Sequence, residues 1–309
     1  MKRIICAGMA NVDVIAAPFT NFNPDGDVTY TEHIKMTTGG DAMNTSVRLK
    51  SLGLPVSFVG TVGSDAAGDF LLQKMEGMDL RGVRRTDEVQ SAVCVALVEA
   101  NGQRRFLYNP GSNKMVSGEN ITEELFKDAA LFHAGGLMQM SRLEADLPGL
   151  FEMAHRHGVL TSMDVTYDLD GIWFKKLEKA FPHTDYFLPS IEEAREITGC
   201  EEPEAIRRFF AGYGMKGLVV KLGKRGCYVT DFKEERYLGE YPAKVLDTTG
   251  AGDSFVAGFL AAVSQGESCF TAAAVGTVVA SVCVANLGAT GGTIAYADAR
   301  ELAKVHFHL

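Results

Sequence analysis

The sequence predicts an α/β fold: a mainly parallel sheet covered by helices on both faces, with a small β-sheet standing off it. Three observations carry the prediction. Short apolar runs alternate with amphipathic helical stretches for most of the length, the pattern of strands joined by crossover helices. Glycines follow three of the helical stretches, at Gly53, Gly158 and Gly199, where a left-handed cap is expected. Two β-rich segments, near residues 12–36 and 91–109, then break the alternation.

The start, "MKRIICAGMANVDV", has the charge-then-apolar order of a signal peptide. Its apolar run is short, contains Gly8 and soon meets Asn11 and Asp13, so Arg3–Ala7 reads as a buried first strand. Further strands are expected at Val56–Val62, Ala130–Ala134, Val159–Asp164, Tyr186–Leu188 and Gly217–Lys221. Helices are expected at Asp41–Leu52, Asp69–Met78, Arg142–His157 and Glu192–Thr198. Residues 12–36 look extended. "SAVCVALVEANGQRRFLYN" reads as a hairpin whose β-rich arms flank Asn101-Gly102, a type I′ turn pair. From Asp253 on, "AGFLAAVSQG" and "CFTAAAVGTVVASVCVANLG" read as helices with small residues that permit close packing. No linker, low-complexity tract or repeat interrupts the 309 residues, so one domain over 1–309 is expected, its two β segments forming a lid.

Composition narrows the function classes. A net charge of −9 argues against an electrostatic hold on nucleic acid or an anionic membrane. It leaves room for a small anion held locally by backbone amides. No stretch approaches the length of a membrane span. The six cysteines form no C-x-x-C pair, so neither zinc nor a redox dithiol is indicated, and reduced thiols of a cytoplasmic protein are expected.

The chemistry concentrates in "DTTGAGDSFVAGF", Asp247 to Phe259. A helix N-terminus carries unpaired N–H groups and partial positive charge, which favours an anion. Gly250, Ala251 and Gly252 strip side chains from that end and let an anion approach the backbone. Asp253 would repel it unless the carboxylate handles a hydroxyl that attacks a bound phosphoryl group. A first-turn acid that merely offsets the helix dipole is the competing explanation.

With "GGDAMNTSVRLKSLGLPVSFVGTVGSDAAGDF" (Gly39 to Phe70), this segment resembles the two motifs of the PfkB, or ribokinase-like, family of carbohydrate and nucleoside kinases. The resemblance runs from "GMANVD" to "NLGATGG". It implies a ribokinase-like three-layer α/β/α sandwich with a mainly parallel central sheet and a small β lid. It implies ATP and Mg2+, a sugar as acceptor, Asp253 as catalytic base, and the amides of Gly250 to Asp253 as the anion hole. Asn11, Asp13, Gly39, Gly40 and Asn44 fall where such kinases bind substrate hydroxyls. "VVKLGKRGCYV" resembles the nucleotide-binding strand-turn-strand, which places Lys221, Gly223 and Gly226 near ATP; ordinary hairpin glycines would look the same. "LPSIEEAREITG" resembles an N-x-x-E segment that organises magnesium through water, with Ser190 at the Asn position and Glu193 keeping the acid. Asp247, Thr249, Asn286, Gly288 and Gly292 match positions that form a monovalent-cation site in many members, so K+ is expected.

Departures bear on the substrate. In "DVTYDLDGIW", Asp164 and Trp173 fit a D-x-N-x-R segment of fructokinase-like and sugar-acid kinases, but Thr166 and Asp168 replace the Asn and Arg. Without the arginine a sugar acid loses a bidentate partner. "MQMS" offers Ser141 where ribokinase-like members often have an acid. A small neutral sugar is therefore expected as substrate, and a homodimer joined through the lid as the assembly. The alternatives are a nucleoside kinase and a sugar-binding regulator without turnover; the intact "GAGD" speaks against the latter.

Overall fold

A strand such as Ile4-Ile5-Cys6-Ala7, with no polar residue on either face, is stable only where both faces are covered. The computed structural model, which describes residues 2–22, 26–99 and 103–309, puts it inside a large sheet with all four side chains fully buried. The first half of the chain runs β1 (Arg3–Gly8), β2 (Asn11–Phe19), β3 (His33–Gly39), α1 (Asp41–Ser51), β4 (Val56–Gly63), α2 (Ala66–Lys74), β5 (Asp79–Thr86), β6 (Ala92–Glu99), β7 (Arg104–Asn109), α3 (Glu123–Phe126), β8 (Ala129–Leu137) and α4 (Ser141–Arg156). The second runs β9 (Leu160–Val165), α5 (Phe174–Leu177), β10 (Tyr186–Phe187), α6 (Ile191–Thr198), α7 (Pro203–Phe210), β11 (Gly217–Lys221), β12 (Cys227–Thr230), β13 (Glu235–Leu238), α8 (Ala251–Ser264), α9 (Cys269–Val284) and α10 (Tyr296–Phe307).

The large sheet has the order β13-β12-β11-β10-β9-β8-β1-β4-β5. It is parallel except at β12, which runs antiparallel to both its neighbours. Side chains alternate across it, as a period of two requires. Ile5 and Ala7 enter one core with α4, α5, α6 and α7; Ile4 and Cys6 enter the other with α8, α9 and α10. The three-layer α/β/α expectation is met.

The small sheet has the order β3-β2-β6-β7. Here β2 is antiparallel to β3 but parallel to β6, so the sheet is mixed. The expected hairpin forms, with β6 and β7 paired from Val93↔Asn109 to Val98↔Arg104. Its turn pair Asn101-Gly102 lies outside the described residues, as do 23–25 of the other β-rich segment. Val12, Ala42, Met43, Phe58, Val62 and Leu71 form a third apolar cluster at the root of this sheet.

Gly53, Gly158 and Gly199 all have positive φ, at 89°, 68° and 68°, as expected of helix ends. One helix is shifted: Ala66–Lys74 replaces Asp69–Met78, because Asp65 accepts from the Gly68 amide at 2.8 Å and caps it three residues earlier. Among the described residues, no helix is long and apolar enough to cross a membrane.

Candidate active site

The first turn of α8 explains its two glycines differently. Gly250, the N-cap, has φ 72°, and a Cβ there would stand 2.1 Å from the Ala289 carbonyl oxygen. The chain's own backbone therefore requires this glycine. A Cβ on Gly252 would meet only Lys221 Nζ, at 3.6 Å, so no protein contact demands a glycine there. What Gly252 preserves is open space over the helix end. Ser254 N–H bonds to Gly250 O at 2.8 Å, whereas the amides of Gly252 and Asp253 find no backbone acceptor among the described residues. Two free amides beside open space suit an anion.

One of the expected hydroxyl-binding residues reaches Asp253 directly. Asn44, on the first turn of α1, donates from Nδ2 to Asp253 Oδ2 at 2.8 Å. Its Oδ1 accepts from the Thr38 hydroxyl at 3.4 Å, and Thr45 Oγ1 donates to the Asp253 carbonyl at 3.3 Å. Asn11 pairs with Gly39 across β2 and β3 and donates to Asp13 Oδ1 at 2.6 Å. Any Cβ on Gly39 would lie 2.2 Å from Asp13 Oδ1, and one on Gly40, at φ 87°, would lie 2.6 Å from the Met9 carbonyl. These glycines let Asn11 and Asp13 approach the turn. All five expected hydroxyl-binding residues are thus brought together.

Lys221 ends β11 among four acids. Burial works against its charge, but Glu193, Asp164, Asp253 and Asp41 together hold it above the usual lysine range. Burial, then the charge of Asp164, pushes Asp253 up to about 7, against the pull of Asn44 and Lys221. Burial also lifts Asp164, Glu193 and Asp41, and raises Asp13 to about 6. Asp164 is fixed by the Gly136 amide at 2.8 Å. Asp41 lies within reach of the same charges, and after burial it is Asp253 that raises it most.

A cavity of about 350 Å³ adjoins Gly252, lined among others by Lys221, Gly223, Tyr241, Phe255 and Thr277. It brings Lys221, Gly223 and Gly226 to one wall, as expected. Gly226 also has a packing reason, since its Cβ would lie 1.9 Å from the Leu238 carbonyl. Ser190 also has a local structural role. Its hydroxyl accepts from Glu193 N at 3.2 Å while Glu193 Oε2 accepts from Ser190 N at 2.7 Å, a complete capping box at the start of α6. The serine oxygen caps the helix while its O–H stays available as a donor, and Glu193 is buried within reach of the Lys221 charge.

The expected cation residues gather, but their contacts do not fit a monovalent ion. Asp247 Oδ1 accepts from Arg104 Nη2 at 2.8 Å, Thr249 N at 2.9 Å and Thr249 Oγ1 at 2.6 Å. Its Oδ2 accepts from Gly288 N at 2.9 Å. Asn286 Nδ2 donates to Val282 O, and the Gly292 carbonyl accepts from Arg48 at 2.7 Å. Donors crowd where an ion needs oxygen ligands.

Asp168 is likewise occupied: its carboxylate accepts from the amides of Asp170, Ile172 and Trp173 and from Lys176. It organises its own loop. The missing acid after "MQ-x" has a counterpart in Glu144, which accepts from Met138 N and Met140 N and so caps the start of α4. Sequence reading missed Arg48, Asp41, Thr38 and Arg104. A signal existed for Asp41 and Arg48, which share one helix face with Asn44 at spacings of three and four.

Comparison with known proteins places this arrangement. A ribokinase from Staphylococcus aureus is 23% identical over 281 residues, covering 86% of this chain and 88% of that protein. A probable fructokinase-5 from Arabidopsis thaliana is 26% identical over 285 residues, again 86% and 88%. Among solved structures, an Arabidopsis thaliana ribokinase complexed with ribose and ATP superposes with a TM-score of 0.83 at 23% identity, covering 98% and 99% of the two chains. An E. coli protein in complex with ATP and Mg2+ gives 0.83 at 20% identity, covering 99% and 100%. The model of the pfkB family of carbohydrate kinases matches residues 1–295, and the chain belongs to that family.

Proposed function

We propose that this protein transfers the γ-phosphoryl group of ATP to a primary hydroxyl of a small neutral sugar. One observation carries the reading: Asn44, from the hydroxyl-binding turn, meets the Asp253 carboxylate at 2.8 Å at the mouth of the free amides of α8. A hydroxyl held by Asn11, Asp13 and Asn44 lies beside the group that takes its proton. The same carboxylate borders the space that Gly252 leaves for a phosphoryl group. An ordinary aspartate is a weak base for an alcohol, but a dissociative transition state lets the proton leave late. Burial, which raises Asp253 to about 7, makes it a better base still.

The nucleotide is assigned to the cavity walled by Lys221, Gly223 and Phe255, as suits the ATP-bound relatives. Among the described residues no cluster of three or more acids, histidines or cysteines is placed to hold a metal by itself. Magnesium that arrives with ATP needs only one or two carboxylates besides phosphate. Glu193 meets that requirement, and the ion would supply charge neutralisation. Potassium has no part in the proposal, because the Asp247 oxygens already accept from protein donors.

A neutral acceptor is favoured because Asp13, Asp41 and Asp253 face the pocket and Asp168 is turned to its own loop. Six unpaired cysteines and use of ATP suit a cytoplasmic setting. We also infer a homodimer through the small sheet. The test of function is ATP consumption with ribose, fructose, other neutral sugars, nucleosides and 2-keto-3-deoxygluconate. The highest kcat/KM should fall to a neutral sugar. A preference for the sugar acid would overturn the substrate class, and a nucleoside preference would move the protein to the alternative.

A further inference from the structure

Arg48 occupies the middle of α1, one turn beyond Asn44 and on the same face. It is 1% exposed. Among the described residues its side chain is held by neutral groups: Nε donates to Ser254 Oγ at 3.2 Å, Nη1 to Gly292 O at 2.7 Å and Nη2 to Gly291 O at 2.6 Å. Burying a cation without an anion beside it is unfavourable, and an aliphatic residue would fill this core position without that penalty. The charge therefore calls for a task.

What Arg48 grips suggests the task. Ser254 follows Asp253 directly. Gly291 and Gly292 belong to the loop whose Ala289 carbonyl abuts the N-cap Gly250. Cys283 Sγ sits between the same two segments, its one S–H within 3.3 Å reach of both Thr249 O and Ala289 O. A planar guanidinium fork spans two successive carbonyls in a way that an ammonium cannot. Its positive charge also stands behind the helix end that receives the phosphoryl group.

We propose that Arg48 is the resident cation of this loop: a positioning residue that ties residues 289–292 to the first turn of α8, so that phosphoryl transfer requires no bound monovalent ion. The proposal rests on the kinase reading. It accounts for a protein cation on the Gly292 carbonyl, one of the positions expected to hold potassium.

The test uses the full chain with ATP, Mg2+ and the best neutral sugar from the panel. Replacing KCl with tetramethylammonium chloride at equal ionic strength should leave the wild-type rate unchanged within about two-fold. Arg48→Ala should lower kcat by about 10²-fold, the scale of a misplaced reacting group. KM for sugar and ATP should stay within a few-fold. Guanidinium chloride, far below denaturing concentration, should restore about ten-fold of that loss by refilling the site. Potassium activation of the wild type, near-normal kcat in a folded Arg48→Ala variant, or a loss that guanidinium does not restore would each overturn the proposal. If the alanine variant does not fold, Arg48→Gln carries the same comparisons. Should the wild type phosphorylate nothing in the panel, the kinase reading fails by itself. Hydrogen exchange then decides on Arg48: amides of 249–254 and 288–292 must exchange faster in the variant.

Discussion

At the scale of single residues, Asp253 decides whether the α8 end is catalytic or merely capped. Asp253→Asn keeps the shape and the Asn44 contact but cannot take a proton, so kcat should fall by roughly 10²–10⁴-fold. A helix-start acid would instead contribute about 0.3–1 kcal/mol of stability and leave turnover alone. Melting curves beside steady-state kinetics separate the two. The pH dependence gives a second check. A base must be ionised, and burial lifts Asp253 to about 7, so kcat/KM should climb as pH rises through that value and level off above it. An ordinary aspartate would place that limb near 3.9. Because Asp164 and Glu193 raise Asp253 while Lys221 lowers it, the limb belongs to the cluster. Lys221→Met should therefore shift it to higher pH. The linkage sign agrees: a carboxyl with a raised folded pKa binds its proton more tightly in the folded state, so its contribution to stability is full below about 3.9, declines as pH rises and is lost once pH passes about 7. Asp253→Asn should accordingly be no less stable than the wild type at pH 8, whatever its rate. A wild-type profile flat down to pH 5 would remove the assignment.

At the scale of elements, α6 and α1 show what a sequence can and cannot disclose. Ser190 and Glu193 spell S-x-x-E before an apolar-patterned run, the signature of a capping box, and that local rule predicts the observed hydrogen bonds unaided. The family's Asn at that position suggests a nucleotide contact, a second use that the cap leaves open to the serine O–H. Ser190→Ala should thus cost about 1 kcal/mol of stability, measured by denaturant titration, with kcat nearly unchanged. Glu193→Gln keeps an acceptor for the Ser190 amide but loses the charge facing Lys221; its kcat should fall and its Mg2+ requirement rise. An equal loss of kcat in both variants would assign the whole effect to helix α6 rather than to the carboxylate. The polar stripe of α1 was legible only as a stripe. Asn44 could be placed because glycines precede it and a known motif surrounds it. Arg48 could not, since its partners at 254, 291 and 292 lie more than two hundred residues away and only folding brings them together.

For the whole molecule, the strands were readable from alternation and turn signals, but their pairing was not. The parallel contact of β2 with β6 joins two locally antiparallel hairpin-like units into one sheet, and no local rule specifies it. That pairing has a consequence. Met36, Val14, Val95 and Leu107 are mutual partners in a row across all four strands, and so share one face. Asp13, one residue from Val14, points to the opposite face, toward Asn11 and the sugar site. Near the root the first face is covered by the third apolar cluster, yet farther out Ile34, Met36 and Leu107 are 70%, 51% and 64% exposed. An apolar strip of this kind on a sheet marks an interaction surface. The sheet is anchored to the body by the Arg104–Asp247 ion pair, so a partner seated on the strip would stiffen the floor of the sugar site and the loop before α8 together. The expected partner is a second copy, meeting strip to strip about a two-fold axis. Sedimentation velocity should show a dimer for the wild type and a monomer for Met36→Asp combined with Leu107→Asp. The monomer should melt close to the wild type, because neither side chain contributes to the cores. Its KM for sugar should rise more than its KM for ATP, since the nucleotide cavity touches no residue of the small sheet. A wild type that stays monomeric at high concentration, or a double variant that still dimerises, would take the interface away from this face.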